Sequence, residues 1–168
     1  MTTSIKPVPS DSISSEDFVT PFIKSTESVF EAMLGVETTF GPLEEVQQGH
    51  QMFAVTSVIG LTGEHLTGSI SISLGKDVAK QVLERLTGIE AEEVDDDVRD
   101  AIGEMANMIA GQGKRDLTDF VLQLGLPQVI VGEDYTVYSP RWARHYFVAV
   151  KTDMGPCTLD VGFDFTGK

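Results

Sequence analysis

The middle of the chain alternates between the two spacings of apolar residues that distinguish strands from helices. Residues 69–74 place apolar side chains at every second position, and residues 53–59 follow the same period with Phe53, Val55, Ser57 and Ile59 on one side. The turn-forming sequence LTGEHLTG lies between the two segments. This pattern predicts a β-hairpin with one buried face. Residues 76–86 change to a helical spacing, and Gly88 follows them as a C-terminal cap, so we expect a helix directly after the hairpin.

A first helix is predicted before the hairpin. Thr20 has the side chain of an N-cap, Pro21 suits the first helical position, and Gly35 supplies a stop. The apolar stripe of this helix consists of Phe22, Thr26, Val29, Phe30 and Met33. We therefore expect the helix to begin at about Thr20 and to pack through this stripe.

A longer helix is predicted from about Asp95 to Gly111. Its core-facing residues are Val98, Ile102, Met105 and Ile109. Residues 90–104 contain eight carboxylates and a single arginine. Negative side chains in the first turn of a helix complement its dipole, so we interpret the three aspartates from Asp95 as a cap. They lack the alternating ligands and central glycine of a calcium loop, which argues against a Mg²⁺ or Ca²⁺ site.

Further strands are predicted in the second part of the chain. The strand-like segments outside the first hairpin are residues 36–40, 118–124, 128–131, 146–151 and 158–165. A turn at residues 153–156 joins the last two into a second hairpin. Because each hairpin accompanies a long helix, the pattern hints at two related halves. We predict an α+β fold, with a mixed or mostly antiparallel sheet and the long helices on one face, and we leave residues 41–49 and 133–144 unassigned.

Composition narrows the possible functions. The chain has 168 residues and a formal net charge of -14, with 26 acidic and 12 basic side chains. This charge has the wrong sign for binding nucleic acid or an anionic membrane. We expect residues 1–16 to form a disordered leader and residues 17–168 to form a single domain. A lone cysteine, Cys157, and the absence of an apolar N-terminal segment predict a reduced, cytoplasmic protein.

The pair Glu104 and Asn107 on the predicted long helix is the principal candidate site. The two residues are three apart, so they project about 60° from one another and away from the apolar stripe. Asn107 is the only asparagine in the chain, and alanine would favour the helix by roughly 0.7 kcal/mol. We expect Gly103, Ala110 and Gly111 to flank the pair and leave it open to an approaching body. An exposed helix face with arbitrary polar residues would explain the same pattern.

The sequence of this helix resembles a known family. The stretch GEMANMIAG, residues 103–111, with VRDAI before it, is similar to the Glu-x-x-Asn-x-x-x-Gly signature helix of the CheC/CheX/FliY phosphatases of bacterial chemotaxis. Residues 57–63, 68–73 and 126–132 resemble the same family, and the similarity spans about residues 21–165. The first predicted helix has Glu27 but places Phe30 where a second site would need asparagine. A single motif is the pattern of CheX.

The resemblance implies an activity and a partner. The family's substrate is a response regulator, usually CheY, that is phosphorylated on an aspartate. By resemblance, Asn107 would hold the attacking water and Glu104 would pair with a lysine of the regulator. Mg²⁺ would belong to the regulator's receiver domain, so we expect no metal or cofactor in this chain. The resemblance also implies a homodimer joined through the sheet.

The sequence is also compatible with two functions other than phosphoryl hydrolysis. The same helix face could bind a receiver domain or a flagellar switch component without hydrolysis, as an adaptor. A structural sheet protein that assembles through its strand edges would need neither Glu104 nor Asn107. The three histidines, at positions 50, 65 and 145, lack the spacings of metal sites and read as surface or structural residues. Residues 111–114, GQGK, follow a helix rather than a strand, unlike a phosphate loop.

Overall fold

The computed structural model describes residues 14–47 and 49–165, which form three helices and ten strands. The helices are α1 (Ser15–Val29), which continues into a π-helical turn (Phe30–Leu34), α2 (Lys76–Thr87) and α3 (Asp96–Arg115). The strands of the first half are β1 (Thr39–Phe40), β2 (Glu44–Glu45), β3 (His50–Gln51), β4 (Val55–Gly63) and β5 (Leu66–Leu74). Those of the second half are β6 (Gln123–Leu124), β7 (Gln128–Val131), β8 (Thr136–Val137), β9 (Arg144–Thr152) and β10 (Gly155–Phe165). The predicted leader lies mostly outside these residues, although α1 includes its last two positions.

The main sheet is antiparallel throughout. Its strands follow the order β1–β9–β10–β5–β4–β6, while β2 also pairs with β9 and β7 also pairs with β4. Each edge is therefore built from two short strands rather than one long strand. The strands β3 and β8 form a separate ribbon. The helices pack on one face of the main sheet, where Ala106 and Ile109 of α3 meet Ile70, Ile72 and Leu159. The predicted fold class is confirmed.

The two halves of the chain repeat the same order of elements. Each half has a helix, three short strands and a long hairpin, and the same spacing separates β1 from β2 and β6 from β7. The additional helix α2 follows the first hairpin and has no counterpart after the second one among the described residues. The short strands of one half pair with the hairpin of the other, because β1 and β2 lie on β9 while β6 and β7 lie on β4. The two hairpins meet through β5 and β10 at the centre. This arrangement agrees with the predicted relation between the halves and interlocks them.

The predicted start of the first helix is wrong. The N-cap is Ser14, whose hydroxyl accepts a hydrogen bond from the backbone N–H of Asp17 at 3.0 Å, and Pro21 lies inside the helix. An internal proline costs a helix about 3 kcal/mol. The earlier start buries Phe18 completely, with its ring centroid 4.5 Å from that of Phe163, and this packing outweighs the local preference.

The end of the first helix also differs from its prediction. Met33 is 45% exposed, and Leu34 takes its expected place in the core at 4%. The final turn is π-helical and has more residues per turn than an α-helix. Leu34 rather than Met33 therefore lies on the same buried face as Phe30. Gly35 ends the helix in the left-handed conformation with a φ of 65°, as predicted.

Short strands account for the other differences. The predicted strand 36–40 is reduced to β1, and the predicted strand 118–124 is reduced to β6. Each pairs only where its backbone meets the neighbouring hairpin, at β9 and at β4. The unassigned segments contain β2 and β8, each two residues long. Segments this short carry too few side chains to show a period in the sequence.

Candidate functional site

The helix that carries the candidate pair begins at a well-formed cap. A side-chain oxygen of Asp95 accepts a hydrogen bond from the backbone N–H of Val98 at 3.0 Å. This geometry confirms the interpretation of Asp95 as an N-cap. The helix continues to Arg115, four residues beyond the predicted end, and Gly111 therefore lies inside it. Its apolar stripe is buried as predicted at Val98, Ile102, Met105 and Ile109.

Glu104 and Asn107 both lie on the exposed side of α3. The side-chain hydrogen bonds from the first turns of this helix involve Asp95, Asp96 and Arg99. Among the described residues, none involves Glu104 or Asn107. Both side chains are therefore free to contact another molecule.

The electrostatic surroundings of the pair are acidic. Asp97 and Asp100 are exposed on the same helix, and Arg99 is occupied by Asp96 and by the carbonyl oxygen of Val94. Within residues 14–47 and 49–165, no lysine or arginine pairs with Glu104. Its carboxylate is thus available to a cation supplied by a partner.

The expectation that three small residues frame the pair is wrong for two of them. Gly103 and Ala110 are buried, and only Gly111 faces open space. A Cβ atom added at Gly103 would lie 3.7 Å from the Cβ and Cγ atoms of Pro127 and 3.8 Å from Cγ2 of Val129. These are ordinary contact distances, so α3 lies beside the segment that joins β6 to β7 with room for one methyl group between them.

No role beside the pair is predicted for that neighbouring segment from the sequence, although residues 126–132 carry part of the family resemblance. It presents Leu126, whose side chain is 87% exposed, directly before Pro127. The available signal was a leucine between a glycine and a proline, a composition typical of a turn, where a large apolar side chain has no core to enter.

The first helix does not present an equivalent pair. Phe30 is fully buried, so it cannot correspond in space to the exposed Asn107. The hydroxyl of Ser25 donates a hydrogen bond to the carbonyl oxygen of Ile109 at 2.6 Å, which links α1 to α3. The match of Glu27 and Phe30 to the motif in the sequence therefore has no exposed counterpart of Asn107 in space, and one site per chain stays a prediction.

Two of the three histidines, His50 and His145, pack within the fold. His145 is 6% exposed, and its Nε2 atom lies 3.2 Å from Oδ1 of Asp160 while its Nδ1 atom lies 3.2 Å from the hydroxyl of Ser139. The ring of His50 packs at 4.3 Å from that of Phe147. Across the described residues, no group of three or more histidine, cysteine, aspartate or glutamate side chains could hold a metal ion.

Comparison with known proteins places this site in a family. The family described as chemotaxis phosphatase CheX matches residues 55–151, a stretch that contains α3 and both candidate residues. The chain belongs to the CheX family. This membership confirms the resemblance seen in the Glu-x-x-Asn-x-x-x-Gly helix.

Relatives in sequence and structure agree with this membership. The CheY-P phosphatase CheX of Thermotoga maritima is 28% identical over 124 residues, which are 72% of this chain and 79% of that protein. The structure of the chemotaxis protein CheX from Desulfovibrio desulfuricans gives a TM-score of 0.78 at 27% identity and covers 89% of this chain and 99% of that chain. The structure of the CheX–CheY–BeF3–Mg²⁺ complex from Borrelia burgdorferi gives a TM-score of 0.71 at 25% identity and covers 88% of this chain and 97% of that chain.

The described part of this CheX chain shows no helix that combines the length and the apolar character needed to cross a bilayer.

Proposed function

We propose that this CheX chain hydrolyses the aspartyl phosphate of a CheY-like response regulator, with Asn107 and Glu104 as its acting residues. The observation that carries the proposal is the position of these two side chains. They lie exposed and without partners among the described residues, on the helix whose sequence indicated the family. A relative in Thermotoga maritima is a CheY-P phosphatase, and a CheX of Borrelia burgdorferi forms a complex with CheY, BeF3 and Mg²⁺.

Asn107 supplies what the acyl phosphate lacks. A receiver domain neutralises the phosphoryl oxygens with its own Mg²⁺ and lysine, so hydrolysis needs a water placed in line with the bond that breaks. A carboxamide both donates and accepts hydrogen bonds, and it can therefore hold such a water in one orientation. Positioning of this kind needs no strong general base in the phosphatase.

Glu104 fixes the orientation of the complex. Its exposed carboxylate has no cation within reach among the described residues, so a lysine of the receiver can pair with it. Since Glu104 and Asn107 are three residues apart on one rigid helix, an ion pair at the first sets the position of the second. We expect Mg²⁺ to be supplied by the receiver and no metal by this chain.

The Asn107→Ala variant tests the catalytic assignment. Removal of one group that orients a reacting species commonly lowers a rate by about 10²–10³. We expect this loss in the stimulated decay of a phosphorylated CheY-like receiver, followed by phosphate release in single turnovers. The melting temperature should not fall, because the side chain is exposed and alanine favours the helix.

A second carboxamide on the same helix provides the matched control. Gln112 lies five residues after Asn107 and about 140° around the axis, so Gln112→Ala should leave turnover unchanged. Full activity in Asn107→Ala would contradict the assignment. Tight binding of the receiver without any acceleration of phosphate loss by the unaltered protein would instead establish the adaptor function.

We also propose a cytoplasmic homodimer. The resemblance to CheX supports a dimer joined through the sheet, and its two-part edges offer the backbone groups for such pairing. Sedimentation equilibrium would test this proposal, and a monomer at micromolar concentration would overturn it.

A further inference from the structure

We propose that the turn at Leu126 and Pro127 is a second contact for the receiver and helps to decide which receivers this protein binds. This inference rests on the proposed function, because it assigns the surface next to Asn107 to the same partner. It adds a residue that lies on neither α3 nor the signature sequence.

The turn lies beside the catalytic helix. A Cβ atom added at Gly103 would lie 3.7 Å from the nearest atom of Pro127 and 3.8 Å from the nearest atom of Val129. A methyl group at this position would make ordinary van der Waals contact with both residues, so the turn lies directly beside the helix at the residue that precedes Glu104.

The turn lies on the side of the helix that Asn107 faces. Gly103 and Asn107 are four residues apart and thus about 40° from one another around the axis. Side chains of an α-helix lean towards its N-terminus, so the carboxamide of Asn107 covers the helix surface in the direction of Gly103. A body that reaches this carboxamide therefore also approaches Pro127 and its neighbour Leu126.

The turn is held on both sides by backbone pairing. The N–H of Gly125 donates to the carbonyl oxygen of Gly60 at 2.8 Å, and Gln128 opens the ladder of β7 opposite Val58. Leu126 therefore projects from a short connection between two fixed points. A preorganised side chain of this kind loses little conformational freedom when a partner covers it.

The size of a protein interface makes the receiver the expected occupant. A specific complex covers about 800 Å² on each partner, which corresponds to a patch with a radius of roughly 16 Å. A patch centred on Glu104 and Asn107 extends well beyond two side chains, and the turn beside Gly103 falls within it. Leu126, at 87% exposure, is the most exposed large apolar side chain of the described residues.

The test compares Leu126→Thr with Ile130→Thr. Ile130 is also an exposed aliphatic residue, at 41%, but it pairs opposite Thr56 and alternates with Val129, so it faces the other side of the sheet. Affinity is measured for a CheY-like receiver activated with BeF3 and Mg²⁺, and turnover is measured with the phosphorylated receiver. We expect Leu126→Thr to raise Kd and KM roughly five- to tenfold with kcat unchanged. The single variant Leu126→Met should keep the affinity of the unaltered protein, and Ile130→Thr should leave both Kd and KM unchanged.

Failure of this inference is distinguishable from failure of the proposed function. An unchanged Kd in Leu126→Thr, with Asn107→Ala inactive, would overturn the docking contact alone. Equal losses in Leu126→Thr and Ile130→Thr would also overturn it, as would a change of oligomeric state in Leu126→Thr at unchanged affinity. If Asn107→Ala kept full turnover while Leu126→Thr lost affinity, the docking contact would stand and the catalytic assignment would fall.

Discussion

Two pairs of polar side chains in this CheX protein have contrasting surroundings. His145 and Asp160 are buried, at 6% and 3% exposure, and they contact one another on the sheet. Glu104 and Asn107 are exposed and have no partner among the described residues. A buried polar group needs its partner for the fold to be stable, whereas an exposed group on a helix contributes little to stability. The second pair can therefore be used for recognition and catalysis.

The single cysteine gives a prediction at the level of one residue. Cys157 is 2% exposed, and burial, followed by the nearby Asp160 carboxylate, raises the pKa of its thiol. Because the thiolate is the reactive form, the folded protein should react with an aromatic disulfide reagent at pH 8 at least about 10³-fold more slowly than the unfolded protein. The measurement follows absorbance with and without denaturant. Rapid stoichiometric labelling of the folded protein would contradict the assigned burial.

Among the elements, α3 combines structural and functional demands along one helix. Its cap at Asp95 and its apolar stripe satisfy the fold, while its glycines have three different surroundings. Gly103 lies beside the turn at Pro127 with room for a methyl group, Gly111 faces open space, and Gly113 lies against the ring of Phe22. A glycine inside a helix costs about 1 kcal/mol relative to alanine, so these positions need separate explanations.

Alanine substitutions at Gly111 and Gly113 should have opposite effects. At Gly111 the new methyl group meets no atom within 4 Å, and the variant should gain up to about 1 kcal/mol in free energy of unfolding. At Gly113 the new Cβ atom would overlap the ring of Phe22, which is packed against Phe18, and the variant should lose about 1–3 kcal/mol. Urea titrations followed by circular dichroism measure both values. A gain in both variants would show that α1 and α3 are not in contact there.

The whole molecule is organised by the exchange of short strands between its halves. Each half completes the sheet edge of the other, and the hairpins share the pairing of β5 with β10 along the centre. Neither half has a complete sheet of its own, so neither has an independent core. This topology also positions the surface around α3. The strands β6 and β7 pair with β4, and the turn between them, at Pro127, lies beside α3.

Interlocked halves predict a single cooperative unfolding transition. Far-ultraviolet circular dichroism, which follows helices and strands, should change at the same denaturant concentration as near-ultraviolet signals from the aromatic core around Phe18 and Phe163. The calorimetric and van't Hoff enthalpies should agree. Two separated transitions would show that the halves fold independently.

Features that depend on residues close together in the chain could be predicted from the sequence. The two hairpins follow from alternating apolar residues, and the starts and ends of helices follow from Asp95, Gly35 and Gly88. The pair on α3 was identifiable because asparagine is unfavourable within a helix, and the family resemblance gave it a role. These inferences depend on side chains and their neighbours along the chain, which the sequence contains directly.

Other features depend on contacts between residues far apart in the chain. The helix α1 starts at Ser15 despite Pro21 because Phe18 is buried against Phe163, and the edge strands exist only where β4 and β9 offer partners. The glycine at position 103 looked like an opening in the surface, yet it is where another segment packs. At these positions, the free energy gained from burying side chains and pairing strands exceeds the local preference of the sequence for helix or strand. Which residues gain it depends on which segments meet in three dimensions, and spacing along the chain does not show this.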